Sequence, residues 1–438
     1  MRETVALAVA AVLAGAPLRA QQRESSLTLT RALKIGLSHQ AAIAAAQADA
    51  DEAQADIARE RSAFFPSVVV AGGFVRGTYP QLALPLPTMS AAATGDRPPA
   101  TNLYAAGMTL TQIITDFGRT MNRVRAADEA SDTRAAALIA QRHDTVLAIS
   151  TSYFAAQTAV ALQAVAAEGL RSADRHMGQA KAMVAAGFRA PIDLARATTD
   201  RANANLLLIQ ADNELRAAKR RLSDAMGVGA DVDYEVDEAL VPTVNDENAP
   251  LTDLATQALA SRAEIRASDA QVQSRRWSAD ASRSEYWPIV VASAAVLEQG
   301  QSIDRFAWSW SAQIGLVWPV LEGGRTRAEV RRHEAQLRGA EARARAARLQ
   351  VQVEVTQAAD AVRTQRAAVT AATEAAESSH QLLADAEARY KTGIGSALEL
   401  SDAQLATNNA EGRLVMARFT LSMLRAQLEH ALGRDLDS

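Results

Sequence analysis

The feature that most constrains this chain is that it is written twice. Phe64-Phe65-Pro66 closes one long segment of mixed polar and apolar residues, and Tyr286-Trp287-Pro288 closes another 222 residues later. The same offset carries Leu29-Thr30 onto Leu251-Thr252, Leu37 onto Leu259, Ala41 onto Ala263 and Ile43 onto Ile265. Further along, the offset becomes 206: Gly118-Arg119-Thr120 maps onto Gly324-Arg325-Thr326, Gly187 onto Gly393, Leu194 onto Leu400 and Gly227 onto Gly433. A repeat of this length is a supersecondary unit used twice. The change of offset falls on residues 76–101, where Pro80, Pro85, Pro87, Pro98 and Pro99 predict a loop. Length change confined to a loop is what a shared fold tolerates.

Within each copy, helices dominate. From Gly118 to Gly187 there is no proline and no internal glycine besides Gly169 and Gly178; the run from Gly324 to Gly393 holds only Gly339. At about 1.5 Å per residue, a helix over 120–186 would be roughly 100 Å long. Shorter helices are expected over 29–63, 192–226, 251–285 and 398–432, each pair stacking end to end beside a long one. Leu208, Leu215 and Leu222 repeat every seven residues with Ala211, Ala218 and Ala225 between them; copy two has Leu414, Leu421 and Leu428 with Ala417, Leu424 and Ala431. That is heptad packing, with alanines permitting close approach.

The strands separate this chain from an ordinary coiled coil. From Phe306 to Val317 the residues alternate: Phe306, Trp308, Trp310, Ile314 and Leu316 on one face, Ser309, Ser311, Gln313 and Gly315 on the other. Apolar-out, small-or-polar-in over about ten residues is the pattern of a membrane barrel strand. Weaker candidates are 67–75, 102–111 and 289–298. Four strands cannot close a barrel, and open edges are not tolerated in lipid. Several chains must therefore combine; three give an even number of strands in the known range, although the sequence itself does not fix three.

Residues 1–20 read as a signal peptide: Arg2, an apolar run from Val5 to Leu13, and Leu18-Arg19-Ala20 before a cut at Gln21. No later stretch reads as a transmembrane helix. The absence of cysteine excludes disulfides, thiolate metal sites and a lipid-anchored cysteine at the new N-terminus. Removing 1–20 leaves 44 basic against 49 acidic residues, a balance that does not suggest nucleic-acid binding. These readings divide the chain into a signal peptide (1–20), a first repeat (21–227), an acidic linker (228–250) lying outside the helical body, and a second repeat (251–438).

At this point the chain resembles the TolC family of outer-membrane efflux and secretion channels. The carrying residues are Phe65-Pro66 and Trp287-Pro288 before the first strand of each pair. Leu110-Thr111-Gln112 with Asp116-Phe117-Gly118, and Trp318-Pro319-Val320-Leu321-Glu322-Gly323-Gly324, follow the second. Gly187 with Ile192-Asp193-Leu194, and Tyr390-Lys391-Thr392-Gly393 with Leu398-Glu399-Leu400, complete the set. The resemblance implies a mainly α fold with β: a long α-helical coiled-coil barrel joined to a transmembrane β-barrel, four strands per chain and 12 in a homotrimer. It implies a location in the Gram-negative outer membrane, in contact with its lipid, with the helices in the periplasm. The implied partners are a periplasmic adaptor protein and an inner-membrane RND or ABC transporter, in an efflux pump or a type I secretion system.

The resemblance also assigns site residues. Gly187 and Gly393 are the tip turns where an adaptor docks. Glu399 and Asp402, three apart on one helix face, match the family's acidic gate. Asp193 and Tyr390 match its tip latch; an arginine the family carries two residues after the second glycine is Gly395 here, which leaves either a weaker latch or Arg189 or Lys391 standing in. The plain alternative is that Asp193 and Glu399 only start helices, since Pro191 suits a first helical position and Ser396-Ala397-Leu398-Glu399 is a capping box. No catalytic constellation, cofactor motif or metal-ligand spacing of the six histidines is apparent. Arg325, Arg327, Arg331, Arg332 and Arg338 read as a solvated, salt-bridged face. The competing functional reading is a periplasmic coiled-coil adaptor or scaffold with no pore.

Overall fold

A computed structural model of the chain describes residues 26–78, 100–229, 234–237, 244 and 246–434. The signal peptide and the prolines from Pro80 to Pro99 lie outside the described residues.

The duplication governs every element. Helix α1 (Leu29–His39) and α2 (Ala41–Arg61) recur 222 residues later as α5 (Leu251–Ser261) and α6 (Ala263–Arg283); α3 (Arg119–Ala185) and α4 (Pro191–Ala225) recur 206 residues later as α7 (Arg325–Lys391) and α8 (Ala397–Ala431). Strands β1 (Ser67–Gly77), β2 (Thr101–Thr115), β3 (Ile289–Ser302) and β4 (Arg305–Val317) form one antiparallel sheet in the order β1-β2-β3-β4. All four run longer than the sequence pattern suggested or match it closely. Copy two joins its strands through Ile303 and Asp304 alone, which is where the offset changes.

Two expectations about helices change. The segments 29–63 and 251–285 are each broken once, at Gln40 (φ −68, ψ 117) and Arg262 (φ −64, ψ 130). Neither break has a proline or glycine. At Arg262 the cause is tertiary: its buried side chain pairs with Glu264 at 3.1 Å and with Glu354. The turn at Gly433 also packs so closely on Ser261 and Arg262 that a Cβ there would stand 3.0 Å from Ser261 Oγ. The second change concerns α3, which contains a window long and apolar enough by composition to cross a membrane. Its charge-free run, Thr145 to Ala167, is interrupted by Ser, Thr and Gln, and its largest apolar members, Ile149, Tyr153 and Phe154, are fully buried against protein.

Among the described residues the chain divides into two compact units. One lies within Met1–His39, Ile149–Val241 and Ala372–Phe419. Its core holds Leu33, Ile149, Tyr153, Phe154, Leu222 and Met226. Leu27 pairs with Val236 in a parallel bridge, and the Tyr153 hydroxyl donates to the carbonyls of Leu27 and Asp237, each at 2.9 Å. Burial, with Asp237 adding to it, pushes the Tyr153 hydroxyl up to about 12. The other unit lies within Gln40–Ala148, Pro242–Ala371 and Thr420–Ser438. It contains the sheet and a core of Val244, Leu254, Ile265, Val351, Val355, Val362 and Leu428. There Glu247, buried, pairs with Arg425 at 3.0 Å and Arg366 at 3.3 Å. The linker was expected outside the helical body. Three of its described residues depart from that, because Tyr234, Val244 and Glu247 are buried and supply partners to each unit in turn, while Glu235, Asp237, Asp246 and Asn248 are exposed.

Candidate functional site: the sheet and the helix tips

The sheet register sorts its side chains onto two faces. Phe74 lies opposite Tyr104, Met108 opposite Val70 and Val296, and Val296 opposite Trp310. The face they share continues through Val68, Leu110, Trp308, Ile314 and Leu316, large apolar side chains exposed on this chain. The opposite face carries small and polar residues: Thr109, Thr111, Ser293, Ser309, Ser311 and Gln313. A patch of Ala105 and Leu297 is buried there, packed by Ala71 and Val75. Aromatics bracket the apolar face. Phe74 and Tyr104 pack at 4.7 Å near the hairpin ends, beside Phe306 and Trp308. At the helix end Phe117 stacks on Trp287 at 5.6 Å, and the Trp318 indole donates to the Tyr286 carbonyl at 3.1 Å. Ten residues separate Trp308 from Trp318, about 33 Å along a strand, which a tilt of about 40° projects to about 25 Å. That is the height of a barrel's apolar band, with aromatics where an interface places them.

The predicted tip turns have the geometry their glycines suit. Gly187 (φ 76) and Gly393 (φ 82) are left-handed. Each ends a long helix in a Schellman motif: Phe188 N–H donates to Met183 O at 2.9 Å and Gly187 N–H to Val184 O at 3.0 Å, and Ile394 N–H to Arg389 O and Gly393 N–H to Tyr390 O, both at 3.1 Å. In such motifs the residue after the glycine usually packs back on the helix. Here Phe188 and Ile394 are 82% and 78% exposed, with Ile192 and Leu398 also exposed nearby.

The two turns are tied to each other by Arg189. Its guanidinium donates to the Gly395 carbonyl at 2.7 Å and lies 4.7 Å over the Tyr390 ring. Arg189 is the residue equivalent to Gly395 under the 206 offset, so the arginine missing from copy two stands at the matching position of copy one. Lys391 instead pairs with Glu387 at 3.9 Å. Tyr390 is buried among Met183, Leu383, Ala386, Ala397, Leu400 and Ala403. Burial raises its pKa, Asp193 adds to the rise and Arg189 opposes it. Asp193, in the first turn of α4, shares a small cavity with Tyr390, Arg196, Asp200 and His176, but among the described residues no hydrogen bond joins it to Tyr390. His176, one of the six histidines without metal-ligand spacing, is largely buried rather than on a solvated face. Neither ring nitrogen has a hydrogen-bond partner, Glu387 stands 3.5 Å from Nε2, and burial lowers its pKa, reinforced by Arg175 and Lys391 and opposed by Glu387.

Glu399 and Asp402 are both exposed on α8. The Glu399 amide donates to Ser396 Oγ at 3.1 Å, so the helix-start reading of this segment holds as geometry, and its carboxylate lies 3.8 Å from Arg389. The arginines that follow β4 divide: Arg325 and Arg332 bond to Glu322 and Glu329, whereas Arg327, Arg331 and Arg338 extend into solvent. Among the described residues no group of His, Asp and Glu is arranged to hold a metal ion.

A sheet with one apolar face between aromatic bands, joined to paired helices that end in tied turns, defines the class of outer-membrane channel subunits. The chain belongs to the outer membrane efflux protein family, whose model matches residues 32–228 and 254–434. Solved structures with the same fold include VceC of Vibrio cholerae (18% identity, 93% of this chain and 96% of that one, TM-score 0.80). Others are CmeC of Campylobacter jejuni (16%, 99% and 94%, 0.81) and MtrE of Neisseria gonorrhoeae in its open state (18%, 95% and 95%, 0.77). Comparison of the sequence with curated proteins gives no match. This is an outer-membrane efflux channel, and its family is one of channels rather than enzymes.

Proposed function

We propose that three copies of this chain close a 12-stranded barrel in the outer membrane, with the helices forming a conduit in the periplasm. Substrates then pass without energy input from an inner-membrane RND or ABC transporter, through a periplasmic adaptor, to the exterior. The observation that carries this reading is the sheet. β1 and β4 stand at its two ends, its apolar face is exposed, and a sheet in lipid has no stable form with open edges. At the helix tips, Phe188, Ile192, Ile394 and Leu398 beside Gly187 and Gly393 are an apolar surface suited to an adaptor. Arg189 and Tyr390 hold the turns together beside Asp193, and Glu399 and Asp402 supply acidic rings at the entrance. A pore-free adaptor has no use for an apolar sheet face of this kind. Membrane fractionation with unheated and boiled gel samples tests the reading: a heat-modifiable trimer in the outer membrane is expected, and a soluble periplasmic monomer would overturn it.

A further inference from the structure

The duplication makes one seam of such an assembly readable from another. Within the chain, the end of copy one meets the start of copy two: β2 pairs with β3, and α3 lies against α6. In a closed ring, the end of copy two meets the start of the next chain's copy one, which sets β4 beside β1 and α7 beside α2. The inner seam translates to the outer one by two constants. Adding 206 carries β2 to β4 and α3 to α7; subtracting 222 carries β3 to β1 and α6 to α2. The hairpin registers obey both, since Ser67↔Thr111 becomes Ile289↔Val317.

For the strands, Met108 faces Val296 and Thr111 faces Ser293. Translated, Ile314 faces the next copy's Phe74, and Val317 its Ala71. The parity agrees: Ile314 and Phe74 both lie on the apolar face, whereas a one-residue slip would turn one strand's apolar set inward.

For the helices, Ser274 Oγ donates to the Ala126 carbonyl at 2.8 Å, and the Arg125 guanidinium lies 4.7 Å over the Trp277 ring. In the outer seam Arg331 takes the place of Arg125, Ala55 that of Trp277, and Glu52 that of Ser274. The arginine is kept, its aromatic seat is an alanine, and a carboxylate stands one turn away. Arg331 and Glu52 are both exposed, and among the described residues neither has an ion pair within the chain. The surroundings match in sign. Arg327, Arg331, Arg338 and Arg345 share one exposed face of α7. On α2, residues 49–56 hold four acids and no base.

We propose that neighbouring copies of this chain join in one register, with Ile314 opposite the next copy's Phe74, and that an Arg331–Glu52 ion pair between α7 and the next copy's α2 locks that register below the barrel. The proposal rests on the ring of copies described above.

The chain has no cysteine, so cross-linking can test this in the full-length protein in outer membranes. A disulfide needs Cα atoms about 4.4–6.8 Å apart, which residues directly opposite on antiparallel strands satisfy. Ile314→Cys with Phe74→Cys should give a reducible ladder of covalent dimer and trimer on denaturing gels. Ile314→Cys with Val70→Cys, about 13 Å out of register, should remain monomeric after boiling. Separately, Arg331→Glu should lower the temperature at which the unboiled trimer dissociates, and Arg331→Glu with Glu52→Arg should restore it. A ladder from the Val70→Cys pairing and none from the Phe74→Cys pairing, or a charge reversal that the double exchange does not rescue, overturns the seam and leaves the channel reading intact. A wild-type chain that forms no trimer sinks the channel reading and the seam with it.

Discussion

At the scale of single residues, the informative group is Arg189. Gly187 and Gly393 are visible in the sequence because a long glycine-poor run ends at each, and the 206 offset pairs them. What an arginine two residues beyond a turn does is not visible, because its reach to the other turn's carbonyl depends on how the two helix ends are held. At Gly395 a Cβ would stand 3.0 Å from Arg389 Cβ and 3.1 Å from backbone, so any side chain there requires Arg389 to give way. Arg189→Ala removes a charge-assisted hydrogen bond to a buried carbonyl and a cation–π contact, a loss of about 1–3 kcal/mol between the turns. If the turns hold a closed tip, the variant should show higher single-channel conductance in planar bilayers than the parent. Unchanged conductance would reduce Arg189 to a helix-end contact. Asp193 and Tyr390 were paired by resemblance, and the structure brings them to one cavity without bonding them to each other.

At the scale of elements, legibility follows how much local chemistry decides the outcome. β4 announces itself by large apolar residues at period two. β2 and β3 are harder to read because Ala and Thr recur along β2 and Ala and Ser along β3, and small residues carry little alternation; their boundaries come from cross-strand pairing. The helix breaks at Gln40 and Arg262 are invisible for the same reason in reverse: no residue there disfavours helix, and at Arg262 packing against Gly433 and Glu354 decides. The linker misled because acidity reads as solvation, whereas Glu247 spends its charge on Arg425 and Arg366. The two faces of the sheet make a testable contrast. An arginine at the membrane midplane on the lipid side costs about 2–4 kcal/mol, while the inner side tolerates it. Ala294→Arg, opposite Leu110 on the apolar face and midway along the band, should therefore sharply reduce the yield of heat-modifiable trimer. Ser293→Arg, the preceding residue on the same strand and on the other face beside Thr111 and Gln313, should leave yield near that of the parent. Equal losses from both would mean that the apolar face does not meet lipid.

At the scale of the whole molecule, duplication supplies the frame and the departures from it supply function. The 206 offset sets Asp193 at the position of Glu399 and Arg196 at that of Asp402. Only copy two therefore carries acids at both of these positions. Arg196 gathers with Asp193 and Asp200 around one cavity, so its charge has acids at hand within its own copy. In a trimer the copy-two pair would be repeated three times around the entrance, and rings of carboxylates favour cations. The two acids are not equivalent. Glu399 has Arg389 at 3.8 Å, an exposed pair that offsets part of its field, whereas Asp402 has no such neighbour among the described residues. The expectation is graded. In planar bilayers under a salt gradient, Glu399→Ala should shift the reversal potential modestly toward that of a non-selective pore, Asp402→Ala should shift it further, and the double variant should shift it most. An unchanged potential in the double variant would return both residues to the role the capping geometry already gives them, as the first turn of a helix.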